Sequence, residues 1–238
     1  NYSLKALLDN PWSSFTEKGL SFGKSFQFNQ GSIGIMTSFG KNSSMDPFDS
    51  ESSNNQGMIV DFSNKSKNLG LQIGKLNEKG SFNGIASSGM FNTNKSSITN
   101  FAGINFAHEN SLGYWVGSFY HGSNPGKQLN GIMNKISKSN SNAFTLGYQP
   151  KFKNSARKLV FSVSQPLKVT KGQLELQLPA FRTPNKNVLM SSHSLNMAPE
   201  SKEIHSKITY EQNLEVGFIS GVIGYRSNPF HSNRFKDY

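Results

Sequence analysis

The sequence predicts an all-β protein: an antiparallel up-and-down membrane β-barrel of about twelve strands, preceded by a short N-terminal linker or helix. Three observations carry this expectation. Apolar residues recur at every second position in short runs along most of the chain. The faces opposite them are built from Gly, Ser, Asn and Gln with scattered charge. Hydrophobic residues are only 34% of 238 and mean hydropathy is −0.51, yet 19 Phe, 7 Tyr and 2 Trp are present. A helical bundle needs Ala, Leu and Glu in quantity. A membrane barrel needs one apolar shell and no dry centre.

Residues 1–15 differ from the rest. Leu4, Leu7 and Leu8 fall at helical spacing and the pattern stops at Asn10-Pro11, so a linker or plug helix is expected there and a barrel over 16–238. Asn1, Tyr2 and Ser3 precede this patch without a basic leader, which reads as the opening of a mature or excised chain. The first strand is expected over 20–28, where Lys24 interrupts the apolar row Leu20, Phe22, Phe26 and Phe28; a lipid-facing reading puts it near a membrane interface. Asn29-Gln30-Gly31 reads as a tight hairpin turn.

Alternating runs follow at 32–39 (Ile33, Ile35, Phe39), 57–62 (Met58, Val60, Phe62) and 68–75 (Leu69, Leu71, Ile73). Further strands are expected at 97–107, 112–121, weakly at 128–137, and at 143–148 (Phe144, Leu146, Tyr148). The last group comprises 159–168 (Leu159, Phe161, Val163), 173–178 (Leu174, Leu176, Leu178), 203–210 (Ile204, Ile208, Tyr210) and 214–226, where apolar residues fall on both faces. Longer polar stretches at 41–55, 122–128 and 183–187 are expected loops. Short turns at one end and longer loops at the other suit a membrane barrel. Phe28, Phe39, Tyr120, Tyr148, Phe152, Phe181, Tyr210 and Tyr225 fall near strand ends, as an aromatic belt at the headgroup level requires. The same alternation also fits a soluble sandwich, in which the apolar faces would meet across a core about 10 Å thick.

The chain offers little chemistry. It has no cysteine, which removes disulfides and thiolate metal sites. His108, His121, His193, His205 and His231 show no metal-ligand spacing, and no Gly-x-Ser-x-Gly elbow occurs. His108 and His121 close neighbouring strand candidates and are expected at one rim. Asp46, Asp49 and Glu51 share a loop in which a solvated surface is favoured over a calcium site. No cofactor and no enzymatic activity are expected.

The net charge is +11, with 25 Lys+Arg against 14 Asp+Glu. The lysines are scattered without aromatic-interleaved basic strips, which argues against nucleic acid and for anionic lipid headgroups. A basic lumen would favour anions; Lys24, Lys75, Lys207 and Arg226 are the candidate lumen charges, each of which also reads as a solvated rim residue.

The second half carries a family-like motif. Phe161-Ser-Val-Ser-Gln165-Pro166-Leu167-Lys168-Val169, with Lys171-Gly172 and Leu174-Glu-Leu-Gln-Leu178-Pro179, resembles the "SQPLRV…G…L.LP" stretch in the C-terminal barrel of subtilisin-like serine protease autotransporters of Gram-negative bacteria. Leu195-Asn-Met197-Ala198-Pro199-Glu200-Ser201-Lys202-Glu203-Ile204 resembles that family's "L.PSGREI" segment, and Gly224-Tyr225-Arg226 with Pro229-Phe230-His231 its "R..PGH" close. Gly74 to Glu78, Gly84 and Gly89-Met90-Phe91 resemble "G.L.E…G…GAF", and Asn10-Pro11-Trp12 the start of the barrel. Lys168 stands where the family usually has Arg, and Phe230 where it usually has Gly.

The resemblance spans about the whole chain and implies an outer-membrane translocator or anchor. Such a barrel passes or holds a covalently linked upstream passenger and is inserted by the outer-membrane assembly machinery. Any protease activity would belong to the upstream domain. The family normally places one more strand after the Pro-Gly-His-like block, so the resemblance implies either a barrel lacking its last strand or one that closes differently. A barrel pore without a passenger and a soluble surface module binding an anionic partner are the alternative functions.

Overall fold

A computed structural model describes residues 10–16, 19–43, 52–64, 68–82, 85–86, 96–129, 131–152, 156–214 and 216–233. Their strands, in chain order, are β1 (Gly19–Phe28), β2 (Gly31–Ser43), β3 (Ser52–Asn64), β4 (Leu69–Lys79), β5 (Ser81–Phe82), β6 (Ile85–Ala86), β7 (Ser96–Glu109) and β8 (Gly113–Asn124). Then come β9 (Lys127–Gln128), β10 (Met133–Ile136), β11 (Ser139–Pro150), β12 (Arg157–Lys171), β13 (Gln173–Arg182), β14 (Val188–Asn196), β15 (Ile204–Leu214) and β16 (Gly217–Ser227). Single 3₁₀ turns lie at Ser13–Thr16 and Pro229–His231. Of the expected 1–15 element, residues 1–9 lie outside the described residues, as do Asp46, Asp49 and Glu51.

Ten strands form one antiparallel sheet in the order β1-β2-β3-β4-β7-β8-β11-β12-β15-β16. Its connections are unequal. At one end they are 29–30, 65–68, 110–112, 151–156 and 215–216; at the other they are 44–51, 80–95, 125–138 and 172–203. The two outermost strands, β1 and β16, are sheet edges and do not pair with each other. The all-β antiparallel class therefore stands; among the described residues the main sheet has ten strands, two of the expected runs (128–137 and 173–178) lie in a second sheet, and no pairing joins β1 to β16.

The register divides the wall into two faces. One row crosses all ten strands through Gln27, Ser32, Ser63, Gly70, Asn105, Ser118, Thr145, Ser164, His205 and Arg226, without one apolar side chain. The neighbouring row, one residue along, is Phe26, Ile33, Phe62, Leu71, Ile104, Phe119 and Phe144. Buried positions are mostly on the polar face, whereas Phe22, Phe62, Leu71, Ile104, Phe119 and Phe161 are exposed. The apolar band drifts across the register. On β11 to β16 it includes the row Tyr148, Phe161, Ile208 and Ile223, four residues along β11 from Phe144. Strands that tilt in a rolled sheet produce this stagger.

The sheet is rolled about its polar face. Met36 on β2 and Leu167 on β12 both pack against one cluster made by Trp12, Ile59, Leu76, Phe101 and Tyr120. Six strand-to-strand steps would hold β2 and β12 roughly 29 Å apart in a flat sheet, so only curvature lets them share one cluster. Glycines admit the inward aromatics. A Cβ on Gly74 would lie 2.4 Å from Phe101, and one on Gly103 only 2.0 Å from Tyr120. Tyr120, expected in an outer aromatic belt, is instead an inward residue, 1% exposed, because it has the parity of Ser118.

The second sheet, β14-β13-β10-β9, is the same wall carried further. β9 follows β8 after Gly126 (φ 84°), β10 precedes β11, β13 follows β12 after Gly172, and β14 precedes β15. Three of the breaks fall at one level, that between β14 and β15 spans 197–203, and the strands keep their neighbours. Phe82, in the connection after β4, joins Leu129 and Ile136 in a small cluster, with Met133, Leu174 and Met197 against it. Three long connections thus close over one another at that end. The weak 128–137 run is two short strands of this extension.

The close fit of Tyr120 over Gly103 makes a sharp test. Gly103→Ala forces the ring aside and breaks the hydrogen bond that Tyr120 Oη donates to Gln72 Oε1 (2.9 Å). Denaturant titration is expected to show a loss of about 1–3 kcal/mol.

Candidate functional site

Residues 10–16 lie on the polar face. Asn10 starts the segment by accepting the Trp12 N–H on Oδ1 (2.9 Å) and the Ser13 N–H and Oγ–H on its carbonyl (3.0 and 2.6 Å). This is the local turn chemistry for which Asn is suited. Pro11 fixes its own φ, and the turn drives Trp12 into the wall. The indole stacks on Phe101 (4.8 Å between centroids, 4° between planes) and meets Tyr120 edge-on at 6.3 Å. It lies over Gly122, where a Cβ would fall 2.3 Å from Trp12 Cζ2.

Polar bonds fix the remainder. Asn10 Nδ2 donates to Gln72 Oε1 (3.3 Å), Asn55 Nδ2 to the Phe15 carbonyl (2.8 Å), and Thr16 Oγ1 to Ser38 Oγ (2.9 Å). Open space flanks the segment. A cavity of about 470 Å³ lies between Asn10, Ser13 and the β1–β4 wall with Asp61 and Gln72; one of about 230 Å³ lies beside Pro11, with Ser118, Thr145 and Ser164.

The four candidate charges divide two and two. Lys207 pairs in register with Ser162, and Arg226 with His205, so both have the parity of the polar face. Lys24 shares the parity of Phe22 and Phe26, with Nζ 5.1 Å from the Phe26 ring centroid, and Lys75 that of Leu71 and Ile73. These two stand on the apolar face. The two histidines expected together are apart: antiparallel pairing sets His108 beside Trp115, while His121 pairs with Ala102 and bonds Asn142 (2.7 Å).

The family-like residues converge although they span 165–231. Pro166 sits in a bulge of β12, where the register shifts between the Asn142 and Phe144 pairings. This is the place a residue without an N–H fits. Gln165 is buried and donates to the Asn142 carbonyl (3.3 Å). The His231 ring joins the two other blocks. Its Nδ1 accepts the Glu203 N–H (2.8 Å), and its Nε2 lies 3.3 Å from the Leu167 carbonyl. A carbonyl only accepts, so the imidazole is neutral with its proton on Nε2.

The Ser201 N–H donates to the His231 carbonyl (3.3 Å), and Asn228 Nδ2 to the Lys202 carbonyl (3.1 Å). The buried Glu203 carboxylate holds His205 Nε2 at 2.5 Å and Arg226 Nε at 2.6 Å. Pro199 lies in the same 197–203 connection, ahead of Ser201. Burial pushes the His231 imidazole below its ordinary value, more than its bond to Leu167 and the Glu203 charge raise it. Burial would raise Glu203, but the His205 hydrogen bond and the charges of Arg226, His205 and His231 leave it lowered.

Sequence reasoning missed the inward cluster. The sequence places Tyr120 in the aromatic belt and does not single out Phe101; only the glycines one strand away mark the room kept for both rings. No protein-family model, curated protein or solved structure matches the chain.

His231 gives the contacts that join the C-terminal turn to 201–203 and Leu167 a pH dependence of definite sign. Its folded value lies below the ordinary 6.5, so the unfolded chain binds the proton more readily and stability rises with pH across that interval. Stability is complete above about pH 6.5 and falls on acidification, with Glu203 adding to the loss at lower pH. Thermal melts at about pH 7.5 and about pH 5.5 are expected to show this drop. His231→Gln keeps one donor and one acceptor without titrating, and is expected to flatten the interval while staying folded at neutral pH.

Proposed function

We propose that the chain is the membrane-embedded translocator or anchor barrel of an autotransporter-type protein in a Gram-negative outer membrane. One observation carries this reading: the wall is inside out for a water-soluble domain. Most of its large apolar residues face away from the rolled sheet, and its Ser, Asn and Gln residues face inward around the 10–16 segment and a small apolar cluster. Each large apolar side chain kept in water forgoes roughly 1.5–3 kcal/mol of burial. A dozen half-exposed ones would forgo on the order of 10 kcal/mol, comparable with the whole stability of a domain. Hydrocarbon removes that penalty.

The asymmetric connections, short at one end and long at the other, support a membrane barrel. So does the seated 10–16 segment. A passenger joined upstream would be tethered through the lumen by residues that already hydrogen-bond its wall. Unpaired edge groups cost several kcal/mol each in lipid, so β1 and β16 would be joined in the membrane through further strand pairing. Outer-membrane lipids, the assembly machinery and the passenger are the partners of this reading.

The first test is physical. A β-rich protein whose gel migration changes on heating and which floats with liposomes is expected; monodisperse behaviour in plain buffer overturns the proposal. The second concerns the lumen. Trp12→Ala is expected to raise single-channel conductance in planar bilayers severalfold, because it removes the largest inward ring. Unchanged conductance would mean that the 10–16 segment does not fill the pore.

A further inference from the structure

The geometry points to a site for an anionic phospholipid on the outer face of β11, β12 and β15, its phosphate at Arg157 and an acyl chain in the groove above. The inference rests on the membrane reading and makes it specific. The groove encloses about 540 Å³ and is lined by Trp115, Leu146, Tyr148, Phe161, Val163 and Ile208, among others. Trp115 and Tyr148 form its wall, with ring centroids 4.4 Å apart.

Arg157, Leu159, Phe161 and Val163 share one strand parity, so the guanidinium lies on the same face as the groove. Four residues of strand put it about 13 Å from Phe161, toward the short-turn end. The other described cations of this turn are engaged. Lys151 Nζ lies 2.8 Å from Glu109 Oε1, and Lys158 lies 4.0 Å from Glu211 on the opposite parity. Arg157 is exposed and has no carboxylate partner among the described residues. Gln212 is its partner in register. The Tyr210 hydroxyl donates to Gln212 Oε1 (2.5 Å), which leaves the amide Nε2 as a donor beside Arg157. A guanidinium with an adjacent amide donor suits a phosphate, and the apolar groove suits the chain attached to it.

The chain's two tryptophans make the test selective. Trp12 is 1% exposed and Trp115 is 37% exposed, on the groove. The protein is reconstituted in vesicles containing brominated phosphatidylglycerol or brominated phosphatidylcholine, and quenching of tryptophan emission is measured. Quenching that Trp115→Phe abolishes is expected, with a relative binding constant about fivefold higher for phosphatidylglycerol, the factor one surface cation supplies. Arg157→Gln is expected to bring the two lipids to parity. Equal quenching in the wild type, or a preference that survives Arg157→Gln, overturns the site and leaves the membrane reading standing. Absence of quenching by either lipid overturns both.

Discussion

The parity of the hydrogen-bonded wall is the constraint on which the rest of the structure depends. Successive side chains of a strand point to opposite faces, so the pairing register alone decides which residues share a medium. In this chain the register aligns Gln27 through Arg226 into one polar row across ten strands. A slip of one residue would bring side chains such as Phe26, Ile33, Phe62, Leu71, Ile104, Phe119 or Phe144 among those polar groups. Two short turns reinforce the register: 29–30 joins Phe28 to Gly31, and 215–216 joins Leu214 to Gly217. The segment seated on the polar face depends on this parity too. Trp12 finds Phe101, Tyr120, Ile59 and Leu76 because all four have the polar-face parity, and glycines on neighbouring strands leave room for the rings.

The C-terminal turn shows what it costs to depart from regular strand. Asn228, Phe230 and His231 have φ of 48°, 56° and 56°. Such a left-handed conformation costs an L-residue roughly 1–2 kcal/mol, and Phe230 occupies a position where the resembling family usually has Gly. The compensation is visible around it. The Arg226 guanidinium lies 4.7 Å from the Phe230 ring centroid, Pro229 is fully buried, and His231 makes two ring hydrogen bonds. The strain is held by contacts outside the turn, so the turn is only as firm as its bonds to 201–203 and Leu167.

Much of the wall was legible because period two is a strong signal where one face meets an apolar medium. The runs around Ile33, Met58, Leu71, Phe144 and Phe161 became β2, β3, β4, β11 and β12. β14 was not legible, since Ser191-Ser192-His193-Ser194 interrupts its apolar residues and the strand is exposed on both faces. The extension was hidden for another reason. Its strands continue β8, β11, β12 and β15, and a break such as Gly172 reads as a turn that ends the strand. The faces of the four candidate charges were half legible. Parity assigns Lys207 and Arg226 inward and Lys24 and Lys75 outward, but residue type alone cannot distinguish a lumen lysine from one that lays its stem along apolar surface.

The Gln165-Pro166-Leu167 block acquires a physical reason from these contacts. β12 pairs with β15 only as far as Ser164 opposite His205. Beyond that point the carbonyls on this edge need other partners. The bulge at Pro166 changes the side-chain phase, and Leu167 turns its side chain onto the Trp12 cluster while its carbonyl accepts the His231 proton. One residue therefore touches both the 10–16 segment's cluster and the C-terminal turn. Loosening the turn frees the Leu167 carbonyl and with it the strand that supports one side of the Trp12 cluster. The two ends of the described chain are coupled through a single strand position, and the coupling runs through packing on one side and a hydrogen bond on the other.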